Sequence, residues 1–107
     1  MIAEALVIPD PNQKEKHWDD GARTILAGMI GHLITSNKYP NPDLTMLRDM
    51  ISAPQEEQDR LWVDMAVNSG AGRLPMDAAN RVIRGLTTNE ISSILSNADK
   101  HTEWLSS

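Results

Sequence analysis

Apolar residues along the chain recur at intervals of three and four positions, which is the period of an α-helix rather than of a β-strand. The longest stripe of this kind predicts a helix over about 18–37. Its members are Ala22, Ile25, Leu26, Met29, Ile30, Leu33 and Ile34. Alternating runs of the kind that β-strands favour are short throughout. The pattern therefore indicates an all-α domain.

The opposite face of this long helix carries small residues instead of charged ones. They are Thr24, Ala27, Gly28, Gly31 and Thr35. Each glycine inside a helix costs about 1 kcal/mol relative to alanine, so a favourable contact should offset the two glycines. We therefore expect a second helix to approach closely, and the long helix to lie at the centre of the fold with neighbours on both sides.

Shorter helices follow, separated by proline and glycine signals. Asp43 is a candidate N-cap for the second helix, and Pro54 opens the third, which Gly70 is placed to end in the left-handed conformation. The fourth helix is predicted to begin at Pro75 and to end near Gly85. The residues expected to face inward are Leu61, Trp62, Met65 and Ala66 in the third helix and Ala78, Ala79, Val82 and Ile83 in the fourth.

The last helix has the clearest local signature. Thr87 and Glu90 form a capping box, and Leu86 with Ile91 supplies a hydrophobic staple. The stripe continues through Ile94, Leu95, Ala98 and Leu105. Residues 1–16 are predicted to be an extended lead-in or linker, and residues 17–107 a compact bundle of about five to seven short helices around the central one.

Composition restricts the chemistry of this domain. The chain has 107 residues and no cysteine, which excludes disulfides, thiolate metal sites and cysteine nucleophiles. No apolar run reaches the ~18 residues of a membrane span, and the first residues lack the basic segment of a signal peptide. We therefore expect a soluble protein from a reducing compartment. Its net charge of −5 disfavours duplex DNA, since phosphate neutralisation supplies most non-specific affinity.

Charge is distributed unevenly along the chain. Residues 43–64 carry a local charge of −4, whereas residues 70–89 carry +2. The basic residues of the second segment, which we take as candidate partner-binding residues, are Arg73, Arg81 and Arg84. We expect Arg81 and Arg84 on the outer side of the fourth helix, with Asp77 in a surface ion pair to Arg81. A solvated face without a partner is the alternative interpretation.

No catalytic, metal-binding or cofactor-binding residues are predicted, and the chain is not expected to be an enzyme, because the phosphate-loop, zinc-binding and nucleophile-elbow motifs are missing. His32 borders the apolar stripe and is interpreted as a structural histidine held by one hydrogen bond. The paired acids Asp19-Asp20 and Glu56-Glu57 are explained by helix starts, and Gly70-Ala71-Gly72-Arg73 by a helix terminator rather than a phosphate cradle. Trp18, Trp62 and Trp104 are expected to contribute mostly core surface.

Two segments of the chain resemble the conjugative coupling ATPases of type IV secretion, the TraG-like coupling proteins. The first is His17-Trp18-Asp19-Asp20-Gly21-Ala22-Arg23, a tryptophan and acids followed by Ala-Arg at the start of a long apolar helix. The second is Glu90-Ile91-Ser92-Ser93-Ile94-Leu95-Ser96, followed by Ala98 and then Trp104-Leu105. The resemblance spans about 18–105, although the middle matches only in its helical pattern.

The resemblance implies that the chain is the all-α domain inserted in the motor of such an ATPase, with a fold similar to the N-terminal domain of tyrosine recombinases. The parent would be a hexameric, RecA-like ATPase anchored in the bacterial inner membrane, and this domain would lie in the cytoplasm without membrane contact. Its partners would be the relaxase–DNA complex, secreted effectors or their adaptors. ATP and Mg²⁺ would bind outside this chain, which would need no cofactor of its own.

Two functions of different classes therefore remain open from the sequence, and a third is disfavoured. The first is a module that recognises secretion substrates for delivery to the channel, which the acidic balance favours if those substrates present basic protein surfaces. The second is a DNA-binding helical module that uses the basic segment 73–84. A small hydrolase would require a pocket with titratable groups of shifted pKa.

Overall fold

Helices make up most of residues 16–103, the part of the chain that the computed structural model describes. They are α1 (Lys16–Thr35), α2 (Leu44–Ile51), α3 (Gln55–Ala66), α4 (Leu74–Gly85) and α5 (Thr88–Thr102), with a 3-10 turn at Ala71–Arg73. No strand occurs between residues 16 and 103, so the predicted all-α class is confirmed. The lead-in predicted for residues 1–16 lies outside the described residues, except that Lys16 begins α1.

Helix α1 lies at the centre of the fold, as its apolar stripe predicts. It packs against α4, α5 and α2, and its stripe from Ala22 to Leu33 is buried. Ile34 was expected in the same stripe, but 67% of it is exposed. Each residue turns the helix by about 100°, so Ile34 lies at the edge of the stripe in the last turn, where α1 ends at Thr35 rather than at residue 37.

The face of small residues on α1 receives α4 at very short distance, as predicted. A Cβ atom added at Gly28 would lie 2.4 Å from the Cβ of Ala78 and 3.1 Å from the carbonyl oxygen of Leu74. At Gly31 an added Cβ would lie 2.9 Å from the Cβ of Ala71. The close contact offsets the helix-weakening effect of these glycines, because it lets the two backbones bury the surfaces between them.

Predicted caps hold α2 and α5 in place. The Asp43 carboxylate accepts a hydrogen bond from the amide of Met46 at 3.1 Å, and the Thr87–Glu90 capping box is formed in both directions. Leu86 and Ile91, the predicted staple, are half-buried against the core. The cap and the capping box are therefore confirmed, whereas the contact between Leu86 and Ile91 stays a prediction. Asp20, however, lies in the second turn of α1 and pairs with Arg23 at 2.9 Å instead of marking the helix start.

Polar side chains connect α2 to its neighbours. Arg48 Nη1 donates to the carboxylate of Asp99 at 2.6 Å and to the Thr102 hydroxyl oxygen at 3.0 Å, which joins α2 to α5. Gln58 is buried on α3, and its Nε2 donates to the carbonyl of Ile51 at 2.9 Å at the end of α2. Buried polar groups with such partners avoid most of their desolvation cost, so these bonds fix the position of the short helix.

The apolar predictions for α3 are largely confirmed. Leu61, Trp62 and Met65 are buried, while Ala66 is half-buried at the end of the helix. Of the other two tryptophans, the side chain of Trp18 and all of Trp104 lie outside the described residues, as does Leu105. The expected core role can therefore be assigned to Trp62, whose exposed fraction is 4%.

The prediction that Gly70 ends α3 in the left-handed conformation is wrong. Gly70 is extended, with φ −68° and ψ 174°, and α3 already ends at Ala66. A Cβ atom added at Gly70 would lie 2.9 Å from the Cβ of Thr35, so glycine is needed here for close approach to α1. The left-handed residues are Ala71, Gly72 and Arg73, with φ of 52°, 64° and 71°.

Helix α4 has the predicted start and end, since Pro75 lies in its first turn and Gly85 is its last residue. Ala78, Ala79 and Val82 are buried as expected. The inward position predicted for Ile83 is wrong, because 53% of this residue is exposed. It follows Val82 by about 100° around the helix and lies beside an open groove instead of beneath another helix.

Replacing Gly28 by alanine should destabilise the protein by about 2 kcal/mol or more, although alanine favours helices, because the added methyl overpacks the α1–α4 contact. Gly85→Ala is the matched control. Nothing lies within 4 Å of a Cβ at Gly85, so this variant should be neutral or more stable by up to about 1 kcal/mol. Urea unfolding monitored by circular dichroism measures both changes. Equal stability of the two variants would contradict the tight contact.

Candidate functional site

The three candidate arginines do not form one exposed patch. Arg73 precedes α4 and is exposed, with Nη2 3.5 Å from the sulfur of Met76. Arg84 is exposed in the last turn of α4. At 1.5 Å per residue these two positions are about 16 Å apart along the helix. The structure therefore separates the two most accessible members of the set.

Arg81 is directed towards α1 instead of the outer face that the sequence predicted. It is half-buried, and its Nη1 donates to the hydroxyl oxygen of Thr24 at 3.1 Å. Within residues 16–103 it forms no ion pair with Asp77, so that prediction is wrong. Arg81 is therefore partly engaged in joining α4 to α1.

An open groove lies between α3, the end of α4 and α5, and has a volume of about 690 Å³. Trp62 and Val82, both buried, contribute apolar lining. The exposed residues Asp59 and Ser92 line it from α3 and α5, and Ile83 adds accessible apolar surface. Ile83 was predicted to face inward, and it is exposed because its side chain lines this open groove.

A second and smaller depression, the α2–α3 pocket, has a volume of about 260 Å³. Its apolar lining comes from both helices and from the loop after α1. Its larger apolar lining residues are Tyr39, Met46, Met50 and Leu61. Met50 and Leu61 are buried, and Tyr39 and Met46 are half-buried against the core.

Two carboxylates also line the α2–α3 pocket, Asp49 from α2 and Glu57 from α3. Both residues are exposed, and neither forms a hydrogen bond or an ion pair within the described part of the chain. The pocket therefore combines apolar surface with two negative charges that are not neutralised internally. Sequence reasoning identified the acidic segment 43–64 but not this pocket, because only the folded arrangement of α2, α3 and the loop after α1 brings its residues together.

A polar cluster around the buried His32 lies where α1 meets the loop after α3. Asn68 Nδ2 lies 3.0 Å from the Thr35 hydroxyl oxygen and 2.9 Å from Nδ1 of His32. Thr35 donates its own hydroxyl proton to the Gly31 carbonyl, so it must accept from Asn68. The Asn68 carbonyl oxygen accepts from the Gly70 amide. These bonds make Nδ1 of His32 an acceptor, and the neutral ring then carries its proton on Nε2.

The environment of His32 disfavours its charged form. Only 2% of the residue is exposed, and Nε2 has no hydrogen-bond partner among the described residues. Burial lowers the pKa of His32 below its ordinary value of 6.5, although the nearby Asp64 carboxylate opposes the shift and Lys38 adds to it. Lys38 and Asp64 form an ion pair with each other. The prediction of a structural histidine held by one hydrogen bond is thus confirmed.

Nowhere in 16–103 do three histidine, aspartate or glutamate side chains come close enough together to hold a metal ion. None of the helices α1 to α5 has the length and apolar content required to cross a bilayer. Glu56 and Glu57 lie in the first turn of α3, where the helix dipole favours acidic residues as predicted.

We find no match to this chain among protein-family models, curated proteins or solved structures. The similarity to the coupling ATPases, and to the N-terminal domain of tyrosine recombinases, therefore remains a prediction from sequence motifs. A role for the protein has to be argued from the arrangement of its own side chains.

The buried His32 predicts a pH dependence of stability. Because its pKa is lower in the folded state than the ordinary 6.5, protons bind more tightly to the unfolded chain. The free energy of unfolding should therefore fall as the pH decreases through 6.5 towards the lower folded-state value. His32→Gln can still accept from Asn68 but cannot titrate, so its stability should vary less over that window.

Urea unfolding at a series of pH values measures this difference. Leu33→Val is the control, since it removes a methylene from the buried face of α1 and leaves every titratable group in place. It should be less stable than the wild type by about 1 kcal/mol at all pH values and keep the same pH profile. A pH profile of His32→Gln identical to that of the wild type would contradict the assignment.

Proposed function

We propose that this protein is a helical recognition module of the kind found in the coupling ATPases of type IV secretion. In this proposal it binds secretion substrates, such as a relaxase–DNA complex, effectors or their adaptors, on the cytoplasmic side of a membrane-anchored motor. The module contributes binding and not chemistry, because the nucleotide site would lie elsewhere in the parent protein. The proposal extends the sequence resemblance with one structural observation.

That observation is the contact between the two segments that carry the resemblance. Gly21 belongs to the first segment and Ile94 to the second, and a Cβ atom added at Gly21 would lie 2.8 Å from Cδ1 of Ile94. Ala22 and Ile94 are both fully buried where α1 packs against α5. Residues far apart in sequence thus form one packing unit. This supports the idea that they belong to a common structural signature rather than to two chance matches.

The distribution of charge supports a protein partner with basic groups. Asp49, Glu56 and Glu57 are exposed on α2 and α3. The segment 43–64 contains two basic residues, Arg48 and Arg60. Arg48 pairs with Asp99 and so does not neutralise these three acids. A surface of this kind attracts cationic proteins and repels nucleic acid at long range.

The DNA-binding alternative depends on the basic segment 73–84. Arg81 already donates a hydrogen bond to Thr24, and Arg73 and Arg84 lie at opposite ends of α4. Phosphate contacts usually require several cations that act together. The arrangement of the three side chains therefore favours the protein-binding proposal over duplex binding.

The proposal is tested by capture of a relaxase or effector encoded beside the gene for this protein. The purified chain should retain such a substrate, and Arg84→Glu shows whether the basic end of α4 takes part. Arg60→Glu makes the same charge change at an exposed arginine inside the acidic segment, so it should retain or strengthen capture of a basic partner. Arg81 is not used, since its replacement would also remove the bond to α1.

Salt-titrated binding to a DNA duplex separates the two functions. We expect weak duplex binding even at low salt, because of the net charge of −5. Tight duplex binding that weakens steeply with added salt, together with no capture of any secretion substrate, would contradict the proposal and favour the DNA-binding module.

A further inference from the structure

The α2–α3 pocket has the size of a site for one side chain. Its volume of about 260 Å³ lies below the ~300 to 1,000 Å³ typical of small-molecule sites. The lining is mostly apolar and belongs to the folded core, since Met50 and Leu61 are buried within it. The pocket is therefore preformed, and a long unbranched side chain could enter it with little rearrangement of the lining residues.

The two carboxylates of the pocket favour a side chain with a positive charge. Asp49 and Glu57 come from different helices, so a cation in the pocket would interact with both. Some other acids of this region have internal partners: Asp43 caps α2, and Asp64 pairs with Lys38. The pocket acids form no hydrogen bond or ion pair within the described residues, and a bound cation would interact favourably with their charges.

We propose that the α2–α3 pocket binds an arginine or lysine side chain of a partner protein. Its aliphatic stem would lie on Met46, Met50 and Leu61, and its charged head would reach Asp49 and Glu57. Basic side chains characteristically bury their stems on apolar surface while their charge stays near water. Such anchors, arginine above all, contribute much of the affinity in protein interfaces.

The test uses the full chain labelled with ¹³C at the methionine methyl groups. Met46 and Met50 report on the pocket, while the fully buried Met29 and Met65 report on the core. The probe is the peptide acetyl-Ala-Leu-Arg-Leu-Ala-amide, and the comparison peptide has citrulline in place of arginine. Citrulline has nearly the same shape without the charge. We expect saturable shifts of the Met46 and Met50 methyl signals with the arginine peptide, and about tenfold weaker binding with citrulline.

Two double variants test whether Asp49 and Glu57 are responsible for binding the arginine peptide. Asp49→Asn/Glu57→Gln should weaken binding of the arginine peptide by about tenfold or more. The control Asp59→Asn/Asp77→Asn removes two negative charges from exposed residues outside the pocket and should bind as the wild type does. Unchanged Met29 and Met65 signals show that each variant is folded.

Three results of the peptide titrations would overturn the inference. They are no shift of the Met46 and Met50 signals with the arginine peptide, equal binding of the two peptides, or equal binding of the pocket and control variants. Shifts of the same signals caused by a short DNA duplex would also overturn it, because a pocket that selects cations should exclude phosphate.

The inference rests on the proposed function only in taking a protein as the partner, and the peptide titration does not require a secretion substrate. If capture of the relaxase or effector fails while the peptide binds the pocket, the proposed function is wrong and the pocket assignment stands. If capture succeeds and the peptide does not bind, the pocket assignment is wrong and the proposed function stands.

Discussion

The fold depends on the close approach of α4 to the small-residue face of α1. At Gly28 the distance from a hypothetical Cβ to the Cβ of Ala78 is 2.4 Å, so even one methyl group would force the helices apart. Because α1 has apolar surface on its other side as well, it serves as the common wall for α2, α4 and α5. A helix weakened by glycine is thus acceptable, since the buried contacts on both faces outweigh its poor intrinsic propensity.

This arrangement determines which surfaces stay open. Helix α3 packs mainly on α4 and makes little contact with α1, so it forms a ridge between two depressions. The groove towards α5 lies on one side of the ridge and the α2–α3 pocket on the other. The polar bonds of Arg48 and Gln58 fix α2 on both α5 and α3, which keeps the pocket preformed. A preformed site lowers the entropy cost of binding.

Local signals predicted the helices, whereas packing determined the exceptions. Periodicity, the Asp43 cap and the Thr87–Glu90 capping box act within a few residues, so the sequence was sufficient for them. Ile34 and Ile83 lie at the edges of their stripes, where burial depends on whether a neighbouring helix extends that far. Gly70 was misassigned because a glycine signal cannot distinguish a left-handed turn from close approach to another helix.

The same distinction applies to function. Charge counting located an acidic segment and a basic one, but it could not show which charges are already used inside the fold. Arg81 donates a hydrogen bond to Thr24, so the basic segment 73–84 has less accessible charge than its composition suggests. Arg48 pairs with Asp99, so it does not neutralise the acids exposed on α2 and α3. Among residues 16–103, Asp49 and Glu57 have no hydrogen-bond or ion-pair partner and lie beside apolar surface. The helix dipole favours Glu57 in the first turn of α3, but it does not account for Asp49 on α2, and a cation-binding role would depend on the two carboxylates lining the same apolar pocket.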